Sequence, residues 1–327
     1  MSTTQLPLVD VHIVHWNAPE WCARSVATFL RSDGVTVRCH VIDNGATGGR
    51  ELAAKLPPGV EMITSADNVG YAGGANIGLG RALAAEPVAD FVVIAAHDAL
   101  VTPETLRQCC DIAATDAAIG IVGPVIDAPA IVAGGEWRGW RARGISTWDP
   151  SKPFVDRDWV SGLLLVIRVE CIADVGGLDA SLGSYVEEVE FCLRAHDRGW
   201  RVGIATGARA AGIGAVSKDL TVRVDVNSVI VAVKRRGLGA AYPIIGRYVY
   251  WVLRGTIAAT LPGRSADRRR ASRAHANDHA RAVARLARDW RRVREAARSS
   301  DASTRLPGQL VRDRSFATGA ARKAEGA

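Results

Sequence analysis

Asp98 closes an apolar run, FVVIAAHD from Phe91, that is too short to cross a membrane and ends abruptly in polar residues. A carboxylate delivered at the end of a buried strand sits where open α/β sheets bind ligands, although the same residue type also serves in ordinary turns. Further on, SYVEEVEF gathers Glu187, Glu188 and Glu190. Neighbouring carboxylates raise one another's pKa, which can set one of them up as a general base near neutral pH. The structural alternative is that Ser184 and Glu187 form a capping box, with the acids favoured at a helix start by its dipole. The densest local signal is DNVGYAGGANIGLGRALA, Asp67 to Ala84. Gly70, Gly73 and Gly74 let the backbone pass close to something, and the helix that follows offers free N–H groups suited to a phosphate. Tight helix packing explains the glycines equally well. The spacing does not satisfy a dinucleotide fingerprint.

Parallel strands and their loops must position these residues. An unbroken run of Phe, Val and Ile reads as a central strand covered on both faces. Thr102, Pro103 and Glu104 then predict a helix start. Upstream, strands are expected over 9–15, 35–42 and 60–64, each ending in a polar loop: HWN, DNGATGG and SADN. Helices are expected from Asn17 to about Leu30 and over 51–56. Repeated strand, loop and helix imply a parallel sheet with right-handed crossovers, so these loops share one edge. In such sheets ligands bind outside the carboxyl ends of the strands. The segment 127–158 is rich in Trp, Arg and Gly without clear periodicity, and is expected to carry specificity or to be an ordinary surface loop.

The 327 residues are 48% hydrophobic, enough for a sizeable core, and disorder throughout is excluded. The start, MSTTQLPLVD, lacks the basic and apolar regions of a signal peptide, so a cytoplasmic protein is expected. Six cysteines at 22, 39, 109, 110, 171 and 192 form no CxxC pair or metal-ligand spacing and read as reduced core residues. The net charge of +7 is uneven: residues 1–263 hold 24 Lys or Arg against 27 Asp or Glu, whereas 264–298 hold 12 Arg against 4 acids. Basicity confined to one segment makes a nucleic-acid surface over the whole protein an unfavoured reading.

The ordered set HIVHWN (12–17), VIDN (41–44), DNVGYAGGANIG (67–78), HDALVTPETL (97–106), WVSGLLLVIR (159–168), VGGLDASLGSY (175–185) and EEVEFCLRAHDRGWRV (187–202) resembles the motifs of family-two glycosyltransferases, closest to the rhamnosyltransferase-like branch. The resemblance covers roughly residues 8–235. It implies a GT-A type α/β fold, a Rossmann-like, mostly parallel sheet flanked by helices, and an inverting transfer from a nucleoside-diphosphate sugar. The donor is expected to be a deoxyhexose such as rhamnose, and the acceptor a hydroxyl of a glycan, lipid-linked intermediate or small molecule. It further implies donor contacts from His15, Trp16, Asn17, Asp43, Asn44, Asn68, Gly70, Gly74, Asn76 and Asp98. Trp159, Ser161, Gly162 and Glu187 are expected at the acceptor pocket, Glu188 as the base, and Arg194 paired with an acid or near the diphosphate. Asp98 matches the last Asp of a DxD-type motif, the ligand of a divalent metal, Mg or Mn, with His97 a secondary candidate. Two departures bear on that metal: Ala96 stands where an acid or Asn is usual, and ARAAGIGAVS (208–217) lacks the downstream His of many relatives. The competing reading is a catalytically weak or inactive GT-A protein that binds nucleotide or glycan, or scaffolds a partner.

The expected division is a catalytic domain over 1–235, a helical extension over 236–298 and a disordered tail over 299–327. Residues 240–261 are apolar but interrupted by Arg247 and Arg254, so they pack on the domain or lie in a membrane interface rather than span it. Val283, Leu286, Trp290, Val293 and Ala297 recur at helical spacing among arginines, which predicts a basic amphipathic helix for an anionic membrane surface, an acidic partner or an intramolecular groove. Peripheral attachment at the inner face of the plasma membrane and a homo-oligomer are both open on this pattern.

Overall fold

The computed structural model describes residues 5–128, 131–213, 219–263, 265–298, 304 and 306. The first half alternates β1 (Leu8–His15), α1 (Pro19–Phe29), β2 (Thr36–Asn44), α2 (Gly49–Lys55), β3 (Glu61–Ser65), α3 (Gly70–Ala84) and β4 (Phe91–Ala96). A short β5 (Leu100–Val101), α4 (Thr105–Thr115) and β6 (Ile119–Ile126) follow. The irregular segment forms β7 (Gly134–Trp137), β8 (Ala142–Gly144), β9 (Phe154–Asp156) and β10 (Trp159–Val160). Then come β11 (Leu164–Arg168), α5 (Val169–Val175), α6 (Glu187–Asp197) and β12 (Arg201–Ala211). Four helices complete the described chain: α7 (Leu220–Arg236), α8 (Ala241–Thr260), α9 (Ala266–Arg288) and α10 (Trp290–Ala296).

The main sheet has the order β3-β2-β1-β4-β11-β6-β12-β5, with β9 alongside β12. Strands β1 to β4 are parallel, β11 runs antiparallel between β4 and β6, and β12 is parallel to β6. Val92, Val93, Ile94 and Ala95 are fully buried, as an apolar run without alternation requires when helices cover both faces. Register does the positioning. His15 lies opposite Asp43 across β1 and β2, Val14 opposite Ala96 across β1 and β4, and Leu164 opposite Ala95 across β4 and β11. The residues just beyond each pair therefore emerge at one edge: His15 to Asn17, Asp43 and Asn44, His97 and Asp98, and Ser161 and Gly162.

The segment 127–158 is neither helix nor simple loop: β7, β8 and β10 form a three-stranded antiparallel sheet. Its glycines explain the missing periodicity, since a Cβ on Gly135 would sit 1.9 Å from the Arg143 carbonyl oxygen. All six cysteines are buried and unpaired.

In the helical extension, Val283, Leu286, Trp290 and Val293 of the basic stretch face inward, whereas Ala297 lies past α10 and is exposed. Leu286 and Val293 are buried, α9 packs on α7 and α8, and α10 packs on α7. Helix α9 ends at Arg288, and Asp289, which pairs with Arg285, precedes α10. His279 of α9 lies 2.6 Å from the Asp225 carboxylate of α7, while the Tyr248 hydroxyl of α8 donates to the Asp225 carbonyl at 3.2 Å. One acid thus fastens three helices. The expected tail at 299–327 lies outside the described residues apart from Thr304 and Leu306. Both are buried, and Thr304 accepts from the Gly177 amide at 2.7 Å.

Candidate active site

At the ends of β1 and β2, His15 Nδ1 lies 3.2 Å from Asp43 Oδ1, and Nε2 accepts from the Ala18 amide at 3.1 Å. Because Nε2 must be the acceptor, the proton sits on Nδ1 and points at Asp43. Burial lowers the His15 pKa, against the pull of that carboxylate, so a neutral ring in a fixed tautomer is favoured. Gly49 opens α2 against the other side of Asp43, where a Cβ would fall 2.2 Å from Oδ2. Asn17, with φ of +50°, accepts from the Thr47 amide at 3.0 Å, tying the first loop to the GATGG loop. Trp16 between them is half exposed. His97 stands edge-on to His15, with ring centroids 6.0 Å apart, and burial lowers its pKa as well.

The glycine-rich helix packs instead of presenting its amides. Gly70 N donates to Asn68 Oδ1 at 2.9 Å, Tyr71 N to Ser184 Oγ at 3.0 Å and Ala72 N to the Gly183 carbonyl at 2.8 Å. The first amides of α3 are thus taken by the protein, which supports close packing over a phosphate cradle, the two readings its glycines left open. The glycines serve close approach: a Cβ on Gly70 would meet the Gly183 backbone at 2.7 Å, one on Gly74 the Val14 side chain at 2.8 Å, and one on Gly78 the His12 side chain at 2.7 Å. Asn44 bridges Val69 N and Gly70 O, both at 3.0 Å. Asn76 accepts from Leu178 N and donates to Leu178 O, both at 2.8 Å. These asparagines spend their amides on holding loops.

The acidic turn departs from the expected capping box. Ser184 caps α3 rather than α6, whose N-cap residue Val186 has no side-chain cap. Tyr185 and Val186 both have positive φ, +74° and +71°. For a β-branched valine this is a true backbone outlier, held because the surrounding structure over-determines it. Asn227 of α7 supplies that restraint, its amide lying 2.7–3.1 Å from the carbonyls of Leu182, Ser184 and Tyr185.

The strained turn delivers Glu187 and Glu188. Glu187 is buried, and one carboxyl oxygen of each residue is buried with no hydrogen-bond partner. Burial pushes the Glu188 pKa up to about 7, against backbone N–H groups at the helix start that pull it down. Burial and then the charge of Glu188 raise that of Glu187 well above the carboxylate range. Glu190 has a different role. Arg194 pairs with it at 2.9 Å and also donates to the carbonyls of Val175 and Gly177 at 2.5 and 2.7 Å. This pair is structural and holds the loop after α5.

Gly162 lies directly against Glu188, its added Cβ falling 3.5 Å from Glu188 Cγ. Tyr71, to which the pattern of its glycine run assigns no role, donates its hydroxyl to Gly162 O at 2.6 Å. Its pKa rises through burial and then the charges of Glu187, Glu188 and Asp98, so the three acids converge on one ring. The detectable signal was a lone aromatic between glycines. Trp159 is turned inward, its indole N–H 3.3 Å from the Glu136 carbonyl, and Ser161 is buried with its hydroxyl accepting from Leu163 N at 3.3 Å.

Asp98 is buried after β4. A diphosphate arriving beside Asp98 would bring its negative charge next to a carboxylate, which favours an accompanying hard cation. Among the described residues no group of three or more His, Cys, Asp or Glu is placed to hold one unaided. Asp98 could hold such an ion only with ligands from outside this set.

This sheet order, with acids gathered at the carboxyl edge, is the GT-A type glycosyltransferase fold. Residues 7–237 match the model of the glycosyltransferase like family 2, and the chain belongs to that family. It is 28% identical over 187 residues to the N-acetylglucosaminyl-diphospho-decaprenol L-rhamnosyltransferases of two Mycobacterium tuberculosis strains, a match over 48% of this chain and 60% of theirs. The chain thus spans about 60% of the length of the curated relatives it matches. Among solved structures it resembles GalNAc-T7 with UDP, GalNAc and Mn2+, with TM-score 0.54 and 16% identity over 88% of this chain and 58% of that one.

Proposed function

We propose that the protein is an inverting glycosyltransferase that moves a sugar from a nucleoside-diphosphate donor to an acceptor hydroxyl. The observation that carries this reading is Glu188: a carboxyl with an unpartnered buried oxygen and a pKa of about 7, set against Gly162 at the edge that also carries Asp98. Ionised Glu188 takes the acceptor's hydroxyl proton. The freed oxygen attacks the anomeric carbon from the face opposite the leaving group, and the bond from that carbon to the diphosphate oxygen breaks. One displacement needs no covalent enzyme intermediate and inverts the centre. Glu187, its pKa raised well above the carboxylate range by burial and then by the charge of Glu188, favours its protonated form and so spares Glu188 a second adjacent charge.

On the donor side, exposed Trp16 offers a face for the base, and Asp43, oriented by His15, accepts from ribose or base. Asp98 would hold Mg or Mn together with the diphosphate, an ion that supplies positive charge where the leaving group gathers negative charge. The L-rhamnosyltransferase activity of the Mycobacterium tuberculosis relatives supports a deoxyhexose such as rhamnose and a lipid-linked acceptor. A cytoplasmic site at the inner face of the plasma membrane suits that acceptor.

Calorimetry with a panel of nucleoside diphosphates, with and without Mg or Mn, tests donor binding. A donor panel read by mass spectrometry tests turnover. Asp98→Ala and Glu188→Gln are each expected to abolish transfer and leave nucleotide binding measurable. Tight nucleotide binding without turnover of any donor favours a binding protein on this fold instead, a reading to which Ala96 and the single candidate metal acid give specific support.

A further inference from the structure

Helix α8 is apolar around most of its circumference, interrupted by Arg247 and Arg254, yet only one side is covered. Ala241, Ile244, Tyr248, Gly255 and Ala259 are buried against the neighbouring helices. On the opposite side Tyr242, Val249, Tyr250, Leu253, Ile257 and Leu261 are each 41–62% exposed. At 3.6 residues per turn they form one stripe along the whole helix. A stripe this long is not the single exposed Leu that soluble surfaces tolerate.

The charge around the stripe selects its partner. The 41 residues from Val226 to Ala266 contain six Lys or Arg and not one Asp or Glu. Arg247 and Arg254 lie along one flank of the stripe. Pairing this face antiparallel with a second copy would lay arginines on arginines, whereas a surface rich in anionic headgroups matches them in any orientation. Tyr242 and Tyr250 suit the same setting, with an apolar ring and a polar tip. Among the described residues no helix is long and apolar enough to cross a membrane.

We infer that α8 seats the protein on the surface of a bilayer containing anionic lipid, with the stripe immersed among the acyl chains nearest the headgroups. This moves the membrane contact from the basic stretch of 264–298, whose apolar side is used internally, to the helix before it. A packed path then runs from the membrane face toward the acidic turn. The Arg247 guanidinium lies 4.4 Å over Trp140, which sits between β7 and β8, and β7 pairs with β10, which leads to Gly162 beside Glu188. The inference stands independently of the transfer chemistry proposed above.

Flotation of the full chain with phosphatidylcholine vesicles, with and without about one third phosphatidylglycerol, tests it. The wild type is expected to float only with the anionic vesicles. The double variant Leu253→Asp/Ile257→Asp is expected to lower the bound fraction at least about tenfold. Arg254→Glu, which leaves the apolar contacts in place, is expected to weaken binding about fivefold to tenfold and keeps the test standing if the double variant melts early. Wild type that stays behind with anionic vesicles overturns the inference, as does equal binding by Arg254→Glu. Self-association of the wild type that the double variant abolishes, without vesicle binding, also overturns it and makes the stripe a contact between copies.

Discussion

Replacing Glu188 by Gln should remove activity and strengthen the fold at the same time. The side chain keeps its shape, but the group that must ionise inside the protein is gone. Glu188 titrates at about 7 in the fold against an ordinary 4.5, so the folded state binds its proton more tightly than the unfolded state does. Its contribution is intact below about pH 4.5, is lost as the pH rises to about 7, and stays lost above that. The difference corresponds to about 3 kcal/mol once the group is ionised in both states. Glu188→Gln should therefore raise the melting temperature by about 5 °C at about pH 8 and leave it nearly unchanged at about pH 5. Loss of a general base should cost transfer about 10²–10⁴-fold in kcat. Differential scanning calorimetry at the two pH values, with turnover on the same samples, reads both. A variant that turns over at the wild-type rate refutes the role of base. Equal melting shifts at both pH values refute the claim that the fold holds this carboxyl against its charge.

The acid limb of kcat/KM should inflect near 7, with activity lost as the pH falls and Glu188 takes up its proton; an inflection near 4.5 counts against the buried base. Gly49→Ala should raise the donor KM or Kd with a smaller effect on kcat, because its Cβ would collide with Asp43 Oδ2 without changing Asp43 itself; an unchanged donor affinity removes Asp43 from the donor site. Asn76→Ala should lower stability by about 2–3 kcal/mol, since it leaves both backbone groups of Leu178 without partners, as urea unfolding will read. Asn227→Ala should lower kcat more than donor affinity by loosening the strained turn before Glu187, and a lone rise in donor KM would contradict that positioning role.

The strands and their common edge were legible because unbroken apolar runs, polar ends and helix-start residues are local signals. Asp98 after β4, and His15 and Asp43 at a common edge, follow from those alone, whereas the register that sets His15 opposite Asp43 does not. The role of the glycines in α3 was not legible. Glycine content permits both a phosphate cradle and close packing, and the choice is made by Gly183 and Ser184, more than a hundred residues away, which take the helix amides. Ser184 and Glu187 matched a capping box, but Asn227 from α7 holds the turn in a left-handed conformation that no local rule for valine predicts. The sheet formed by β7, β8 and β10 was hidden for a related reason: its strands are short and carry glycines where backbones cross closely.

The central claim is a single displacement with Glu188 as base, and the configuration of the transferred sugar tests it most directly. Once the donor panel yields turnover, proton NMR of the fresh product reads the anomeric centre before it equilibrates. Inversion relative to the donor is predicted. A product that keeps the donor's configuration contradicts the account.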